Sequence, residues 1–539
     1  MSDSERLGPM IFSPQGFQGL VVAPHHLAAR AGLRVLDEGG DAVEAMIAAA
    51  STIAVVYPHM NGLGGDNFWL IHEPGCEPVG IDACGGAAGC ADPAYYQAAG
   101  FEAVPARGPM AALTVAGTVS GWQAARQHSF RRWGGKLPLH RLLEDAVHHA
   151  RNGFPVSQTQ SDNTRKKSAE LKSLPGFASV NLPDGIPPSP GECFRQPVLA
   201  ATLENLSHNG LDDFYRGEVG SEIARDLASV GSPLTMSDLE RHKPLRVAPL
   251  SLPLNGDRLF NMPPPTQGLA SLLLLGIYDR LGVQQAESFD FAHGLIESTK
   301  QAFRIRDRVI TDPAYMSVNP VDFLREEALR DMAAQVDRQK AAVWPATQNA
   351  GDTVWLGAAD RSGRVVSFIQ SLYWEFGSGV VLPRSGVTWQ NRGSSFSLNP
   401  KHHNCLKPFR RPFHTIQPAL AHLSDGRVMA YGTMGGEGQP QTQAMIFSRY
   451  VRYGQNLQQA VSAPRWLLGR TWGSEVTNLR IENRFDTELY EQLKQAGHDL
   501  EVIGAYDGVM GHAGAVVVCP DGLMEGASDP RCDGAAAAL

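Results

Sequence analysis

The sequence predicts a mixed α+β fold, and three observations support this class. Apolar residues at helical spacing predominate before residue 353, whereas strand-like runs separated by glycine turns predominate from there to about residue 451. The 56 glycines and 36 prolines indicate many sharp connections. A hydrophobic content of 43% with 19% charged residues is typical of a globular enzyme, and 539 residues allow two or three domains.

The N-terminal segment combines short strands with helices. The apolar run at residues 20–23 predicts a strand, and the apolar spacing over residues 26–38 predicts a helix that a glycine pair ends. Asp41 is suited to cap the alanine-rich helix that follows. The glycine turn at residues 58–66 then leads into a predicted strand at residues 68–71.

Further helices are predicted across the middle of the chain. They cover residues 137–152, 196–208, 269–281 and 293–308, and a helix start at 234–239 has Thr235 or Ser237 as its cap. Residues 335–352 are polar, rich in alanine and without periodicity. This composition is typical of a mobile linker, and it ends just before Thr353.

A β-hairpin is predicted directly after this linker, with its first strand beginning at Thr353. Residues 354–356 are apolar, Asp-Arg-Ser-Gly at 360–363 is a turn sequence, and residues 365–369 form a returning β-branched run. The remaining C-terminal elements are predicted helices at 457–463 and 487–496 and strands near Val502 and at 516–519.

Bulk properties argue against several kinds of partner. A net charge of −8 without runs of like charge argues against nucleic acid or an anionic membrane as partner. The longest apolar run, near residues 269–277, is too short to span a bilayer, and the first residues lack the pattern of a secretory signal. The seven cysteines form no C-x-x-C pair, so neither a metal site nor a disulfide framework is expected. No cofactor is expected, and a reducing cytoplasm is the expected location.

Thr353 is a candidate nucleophile because of its position after a Gly-Asp pair. A threonine hydroxyl needs a base within hydrogen-bond reach. Cleavage of the chain between Asp352 and Thr353 would supply one, since the new α-amine has an ordinary pKa of about 7.7–8.0. On these residues alone, an ordinary threonine that starts a strand is the better explanation of the pattern.

Longer segments match one known family in that family's order. The first covers residues 26–71: a helix, a Gly-Gly pair, the motif Asp-Ala-Val-x-Ala opening a second helix, and a Gly-x-Gly-Gly turn before a strand. The others are the turn at 115–121, the proline-rich segment at 262–268 and Thr-Asp-Pro at 311–313. From about residue 21 to 531 the chain resembles the γ-glutamyltransferase family of N-terminal-nucleophile hydrolases, which cleave themselves before a threonine. The resemblance implies a four-layer αββα sandwich in which a large fragment, 1–352, stays interwoven with a small fragment, 353–539.

The resemblance also implies the catalytic groups. Thr353 matches the nucleophile, with the cleavage site between Asp352 and Thr353, and Ser371 matches a second threonine that hydrogen-bonds the first. Gly435 and Gly436 match the pair whose backbone N–H groups form the oxyanion hole. Glycine suits that place because the backbone must approach the substrate closely.

The substrate-binding positions depart from the family pattern. Cys84 stands where the family has an arginine for the α-carboxylate of a glutamyl group, and Ser395 stands where it has an aspartate for the α-ammonium. Tyr373 replaces an asparagine, and His414 with Thr415 replaces a pair of serines.

Arg392, three residues before Ser395, brings a new cation to this region. A guanidinium suits a carboxylate through paired hydrogen bonds, although a salt-bridged surface arginine is the alternative. Loss of both charged glutamyl contacts should remove specificity for γ-glutamyl compounds.

These features predict a self-processing amidohydrolase that acts on a small acid amide. The branch without the two glutamyl contacts includes oxamate amidohydrolases, which favours an oxamate-like substrate. The alternatives are a γ-glutamyltransferase or glutathione hydrolase with other contacts, a cephalosporin-acylase-like amidase, and a non-catalytic binding protein on the same scaffold. The expected partners are the small substrate and the chain's own two fragments, and a homodimer of such heterodimers stays open.

Overall fold

The computed structural model describes residues 12–344, 352–470 and 477–539. Two seven-stranded antiparallel sheets lie face to face, and helices cover both outer faces. The α+β class and the four-layer αββα sandwich are therefore confirmed. Across the described residues, no helix has the length and apolar content needed to cross a bilayer.

The strands are numbered in chain order. They are Gln15–Gly16 (β1), Gly19–Ala23 (β2), Asp66–His72 (β3), Val79–Asp82 (β4), Phe154–Pro155 (β5), Cys193–Phe194 (β6), Leu245–Val247 (β7), Leu250–Leu254 (β8), Asp257–Asn261 (β9), Asp352–Asp360 (β10), Val365–Tyr373 (β11), Ala419–His422 (β12), Val428–Thr433 (β13), Trp466–Leu468 (β14), Leu479–Glu482 (β15), Leu500–Ile503 (β16), Ala513–Val518 (β17), Met524–Ser528 (β18) and Ala535–Ala538 (β19).

The α-helices are numbered in the same way. They are His26–Asp37 (α1), Ala42–Val56 (α2), Pro93–Ala98 (α3), Thr118–Trp133 (α4), Leu139–Asn152 (α5), Gln158–Leu171 (α6), Phe177–Asn181 (α7), Pro197–Asn209 (α8), Asp213–Arg216 (α9), Glu218–Val230 (α10), Met236–Arg241 (α11), Gly268–Arg280 (α12), Phe289–Val309 (α13), Glu326–Ala334 (α14), Gly438–Phe447 (α15), Leu457–Ser462 (α16) and Thr487–Gln495 (α17).

The two main sheets share an apolar interface. The first has the strand order β1-β18-β17-β13-β12-β9-β8, and the second has the order β19-β2-β10-β11-β3-β4-β7. Trp355 and Phe68 from the second sheet belong to one buried cluster with Leu420 and Val516 from the first. Separate apolar clusters join α1, α2, α4 and α5 to the second sheet, and α12, α13 and α15 to the first.

The predicted hairpin forms the centre of the second sheet. Strands β10 and β11 pair antiparallel, with β2 on one side and β3 on the other. The turn is closed by the Gly363 N–H, which donates to the Asp360 carbonyl at 2.9 Å. The Asp360 carboxylate also accepts the Ala42 N–H at 3.0 Å, so the start of α2 is tied to the end of β10. The prediction that Asp41 caps α2 is confirmed, since its side chain accepts from Val43 and Glu44.

The structure bears on two predicted features, the linker and the strand-rich region after it. The expected linker at 335–352 is only partly described: Ala341 donates to the Ala496 carbonyl at 2.7 Å, whereas residues 345–351 lie outside the described residues. The expectation of strands and turns up to about residue 451 is wrong for α15 and the π-helical segment Ser448–Arg452 that follows it. Every residue of α15 is buried, so no polar face marks it in the sequence.

Candidate active site

Thr353 is the second residue of β10 and is fully buried. The pairing of β10 with β11 is irregular between Asp352 and Val354, as at a β-bulge, and a bulge re-aims the side chain it contains. The Gln439 side-chain amide donates to Thr353 Oγ1 at 3.4 Å. The nucleophile candidate therefore lies at a break in the sheet and not in its regular ladder.

Ser371 lies on β11 in the stretch that faces Thr353 across this break. Asp352 pairs with Tyr373, and Val354 pairs with Gln370. Ser371 therefore lies between these two paired positions of β11. Its hydroxyl accepts the Tyr373 N–H at 2.8 Å. That bond holds Tyr373 at φ +82°, an uncommon conformation for a bulky residue, at the end of the strand.

Gly435 and Gly436 form the turn between β13 and α15. Their φ angles are +111° and +54°, which residues with a side chain rarely adopt. Among the residues that the structure describes, neither of their N–H groups donates to a protein acceptor. Two unused donors beside the N-terminus of a buried helix suit a developing oxyanion.

Sequence reasoning missed the side chains that hold this turn. The Gln267 amide donates to the carbonyls of Gly436 at 2.8 Å and Thr415 at 2.6 Å. Arg306 donates to Gln267 at 3.1 Å and to Glu437 at 2.6 Å. All these side chains are buried, so the turn is fixed by a hydrogen-bonded network from distant parts of the chain. A buried glutamine between two segments has no local signature in sequence.

Arg392 is almost completely buried, with 1% of its surface exposed. Nη1 donates to Thr415 Oγ1 at 3.2 Å, and the guanidinium lies 3.9 Å from the centre of the Tyr373 ring. Nε and Nη2 have no hydrogen-bond acceptor, and no described carboxylate pairs with the group. Burial lowers the pKa of Arg392 to about 10. This guanidinium is therefore a cation shielded from solvent, and two of its nitrogens have no hydrogen-bond acceptor.

His414 pairs with Asp66, and neither has access to solvent. Nδ1 lies 2.8 Å from the Pro412 carbonyl, and Nε2 lies 3.0 Å from Asp66 Oδ2. Both ring nitrogens thus face oxygens, and Asp66 Oδ1 also accepts the N–H groups of Gly85 at 3.1 Å and Gly117 at 3.0 Å. Burial, then Arg392, lowers the pKa of His414, while Asp66 acts in the opposite direction. Asp66 bonds His414 and not Arg392, so the guanidinium has no ion-pair partner among the described residues.

The other predicted substrate-binding residues surround Arg392 at different distances. Thr415 contacts it directly, and Tyr373 lies beneath it with a pKa raised to about 12, mainly by burial. Cys84 is buried close enough to act electrostatically on Arg392, and burial raises the pKa of its thiol. Ser395 donates to the Phe413 carbonyl at 3.3 Å, so its hydroxyl is used within the protein.

One group in the described part of the chain has metal-ligating spacing. It comprises His293, Glu297 and His498, all buried. The Lys300 ammonium already donates to Glu297 at 2.6 Å, and His293 is 2.9 Å from His498. The carboxylate charge is therefore already neutralised by a lysine.

Comparisons with known proteins match this chain over nearly its whole length. The family model described as gamma-glutamyltranspeptidase matches residues 28–539. The chain is 52% identical to the oxamate amidohydrolase proenzyme of Klebsiella pneumoniae, over 96% of this chain and 98% of that protein. It is 41% identical to the glutathione hydrolase-like YwrD proenzyme of Bacillus subtilis, over 97% and 99%. A solved cephalosporin acylase from Bacillus halodurans has a TM-score of 0.90 at 31% identity, over 100% of this chain and 99% of that chain.

Proposed function

Because the chain belongs to the gamma-glutamyltranspeptidase family and is therefore an N-terminal-nucleophile hydrolase of C–N bonds, we propose that it hydrolyses a small acid amide resembling oxamate. We further propose that it cleaves itself between Asp352 and Thr353. The products are a large fragment, 1–352, and a small fragment, 353–539, which remain together because strands of both share the second sheet.

The observation that carries the substrate proposal is the unpaired guanidinium of Arg392. A buried charge without a partner costs several kcal/mol, so a protein retains one where a ligand supplies the counter-charge. Nε and Nη2 have no acceptor and can bind the two oxygens of a carboxylate. Asp66 bonds His414 and not Arg392, so the guanidinium is available for a ligand carboxylate. The relative named oxamate amidohydrolase proenzyme supports the same choice.

In the proposed reaction, the amine freed by cleavage acts as the base for Thr353. It takes the hydroxyl proton while Oγ1 attacks the amide carbon. The carbonyl oxygen becomes negative and accepts hydrogen bonds from the Gly435 and Gly436 N–H groups. The C–N bond then breaks, and the amine returns the proton so that ammonia leaves. Water, activated by the same amine, hydrolyses the ester on Thr353 and releases a dicarboxylate.

A γ-glutamyl substrate fits this site less well. Its α-ammonium needs an acidic partner, and Ser395 is uncharged with its hydroxyl donating to a carbonyl. Its α-carboxylate needs a cation at the position of Cys84, which is buried and is a neutral thiol. Glutathione hydrolase and acylase activities are therefore the competing outcomes of the assay described next.

The deciding experiment is a substrate panel. Oxamate, a γ-glutamyl anilide and a glutaryl amide are given to the purified protein, and release of ammonia or aniline is followed. The expected result is the highest kcat/KM for oxamate and none with Thr353→Ala. Ready turnover of the γ-glutamyl anilide without turnover of oxamate would reject the proposed substrate.

We also propose a cytoplasmic location. All seven cysteines are unpaired, and two of them are buried. A reducing compartment suits that state.

A further inference from the structure

A strongly basic groove lies on the surface beside the second sheet. Its volume is about 610 Å³, and its walls are α4, the end of α9 and the segment leading into β7. We call it the basic groove because five cationic side chains line it: Arg131, Arg132, Arg216, Lys243 and Arg246. Asp212 is the one carboxylate among the described lining residues. This is a local excess of positive charge in a chain whose net charge is −8.

Most of this charge has no partner within the protein. Arg216 pairs with Asp212 at 2.6 Å, and Arg132 pairs with Glu73 at 3.0 Å. In the described part of the chain, Arg131, Lys243 and Arg246 form no ion pair and no side-chain hydrogen bond. Like charges held close together repel one another, and a bound anion removes that repulsion.

The wall formed by α4 adds neutral hydrogen-bonding groups. Gln123 and Gln127 line the groove on the same helix face as Ser120 and Arg131, at the spacing of successive helix turns. Amide and guanidinium donors therefore run along the α4 side of the groove, and Lys243 and Arg246 add two more cationic donors to its lining. This donor-rich lining suits oxygens of phosphate or carboxylate groups.

The floor of the groove is connected to the candidate active site. His242 Nε2 lies 2.8 Å from the Ser120 hydroxyl, which donates to the Gly117 carbonyl at 2.7 Å. The Gly117 N–H donates to Asp66 Oδ1 at 3.0 Å, and Asp66 Oδ2 bonds His414. A change at His242 thus reaches the His414–Asp66 pair through the first turn of α4.

We propose that the basic groove binds a small polyanion with two or more phosphate or carboxylate groups, and that the bound ligand alters turnover through the first turn of α4. The proposed binding of a polyanion does not depend on the proposed reaction, whereas the proposed effect on turnover rests on it. A small molecule is favoured over a macromolecule because the volume of the groove is only about 610 Å³.

The test uses the complete, processed protein and two probes. Pyrophosphate represents the phosphate source and citrate the carboxylate source, and each is titrated calorimetrically at constant ionic strength. The groove variant is Arg131→Gln, Lys243→Gln, Arg246→Gln. The matched control, Lys172→Gln, Arg361→Gln, Lys401→Gln, removes three exposed charges elsewhere.

We expect one probe to bind the wild-type protein with a stoichiometry of one. Its affinity should be at least tenfold lower for the groove variant and unchanged for the control variant. The probe that binds more tightly identifies the phosphate or carboxylate class. Weak binding without a defined stoichiometry, or equal affinity for the groove variant, would overturn the site. At saturation, oxamate turnover should change at least twofold in the wild type and not in the groove variant. Binding with unchanged turnover would overturn the coupling, and because calorimetry needs no turnover, failure of the proposed reaction is recognised separately.

Discussion

Arg392→Met removes a buried cation that has no ion-pair partner among the described residues, while keeping a long apolar side chain. If Arg392 holds the substrate carboxylate in a dry pocket, loss of the pair should cost about 2–5 kcal/mol. A central value of about 3 kcal/mol corresponds to a fall of about 150-fold in kcat/KM for oxamate. Steady-state ammonia release measures this directly, and the loss should fall mainly on KM. Arg392→Lys keeps the charge but not the paired donors, so an intermediate loss is expected.

The same substitution should leave stability almost unchanged. Removing Arg392 gives up its stacking on Tyr373, worth about 2 kcal/mol when dry, and one hydrogen bond to Thr415. It also relieves the desolvation of an unpaired charge, which costs several kcal/mol. These contributions oppose each other, so Tm should stay within a few degrees of the wild-type value.

Arg410 supplies a matched control for this experiment. It is also buried and stacked on a tyrosine, with its guanidinium 4.2 Å from the Tyr315 ring, but it donates to the Cys405 carbonyl and the Thr311 hydroxyl at 2.7 Å each. Arg410→Met should therefore lower Tm and leave kcat/KM for oxamate nearly intact. The reasoning is refuted if Arg392→Met lowers Tm in the same way and leaves kcat/KM unchanged, because Arg392 would then be a structural arginine.

Variants at the Gly435–Gly436 turn, at the glutamyl-contact positions and at a buried ion pair test three other features of the protein. Gln267→Leu removes the donor to two buried carbonyls, so kcat should fall about 10–100-fold with KM nearly constant, and unchanged kcat would contradict its role. Cys84→Arg with Ser395→Asp should shift relative kcat/KM from oxamate toward γ-glutamyl anilide, and an unchanged preference would speak against the alignment of these positions. Burial would raise the pKa of Asp529, but two buried arginines lower it to about 2. Its contribution, about 2–3 kcal/mol, should be complete above about pH 5 and lost as the pH falls through about 2, so denaturant unfolding should show the stabilities of the wild type and Asp529→Asn approaching each other there.

Local chemistry predicted many of the elements that position the site. The Asp-Arg-Ser-Gly turn at 360–363 and the apolar runs on either side predicted the hairpin that carries Thr353. Asp41 was recognisable as a helix cap because its bonds are made within three residues. In both cases the partners are close in sequence, so composition and spacing suffice.

The parts that could not be predicted depend on contacts between distant residues. Asp66 is 348 positions from His414, and the sequence gives no reason to pair them. Gln267, just before α12, and Gln439, in α15, contribute single amides. Helix α15 escaped prediction because it is buried on every side and lacks a periodic polar face.

The central claim is that Thr353 becomes the N-terminal nucleophile of an active hydrolase. Intact mass and N-terminal sequence of the purified, active protein test it most directly, with Thr353→Ala beside it. We predict two fragments in the wild type, with the smaller beginning at Thr353, and one uncleaved, inactive chain in the variant. An active wild-type protein that consists of a single full-length chain would contradict the account.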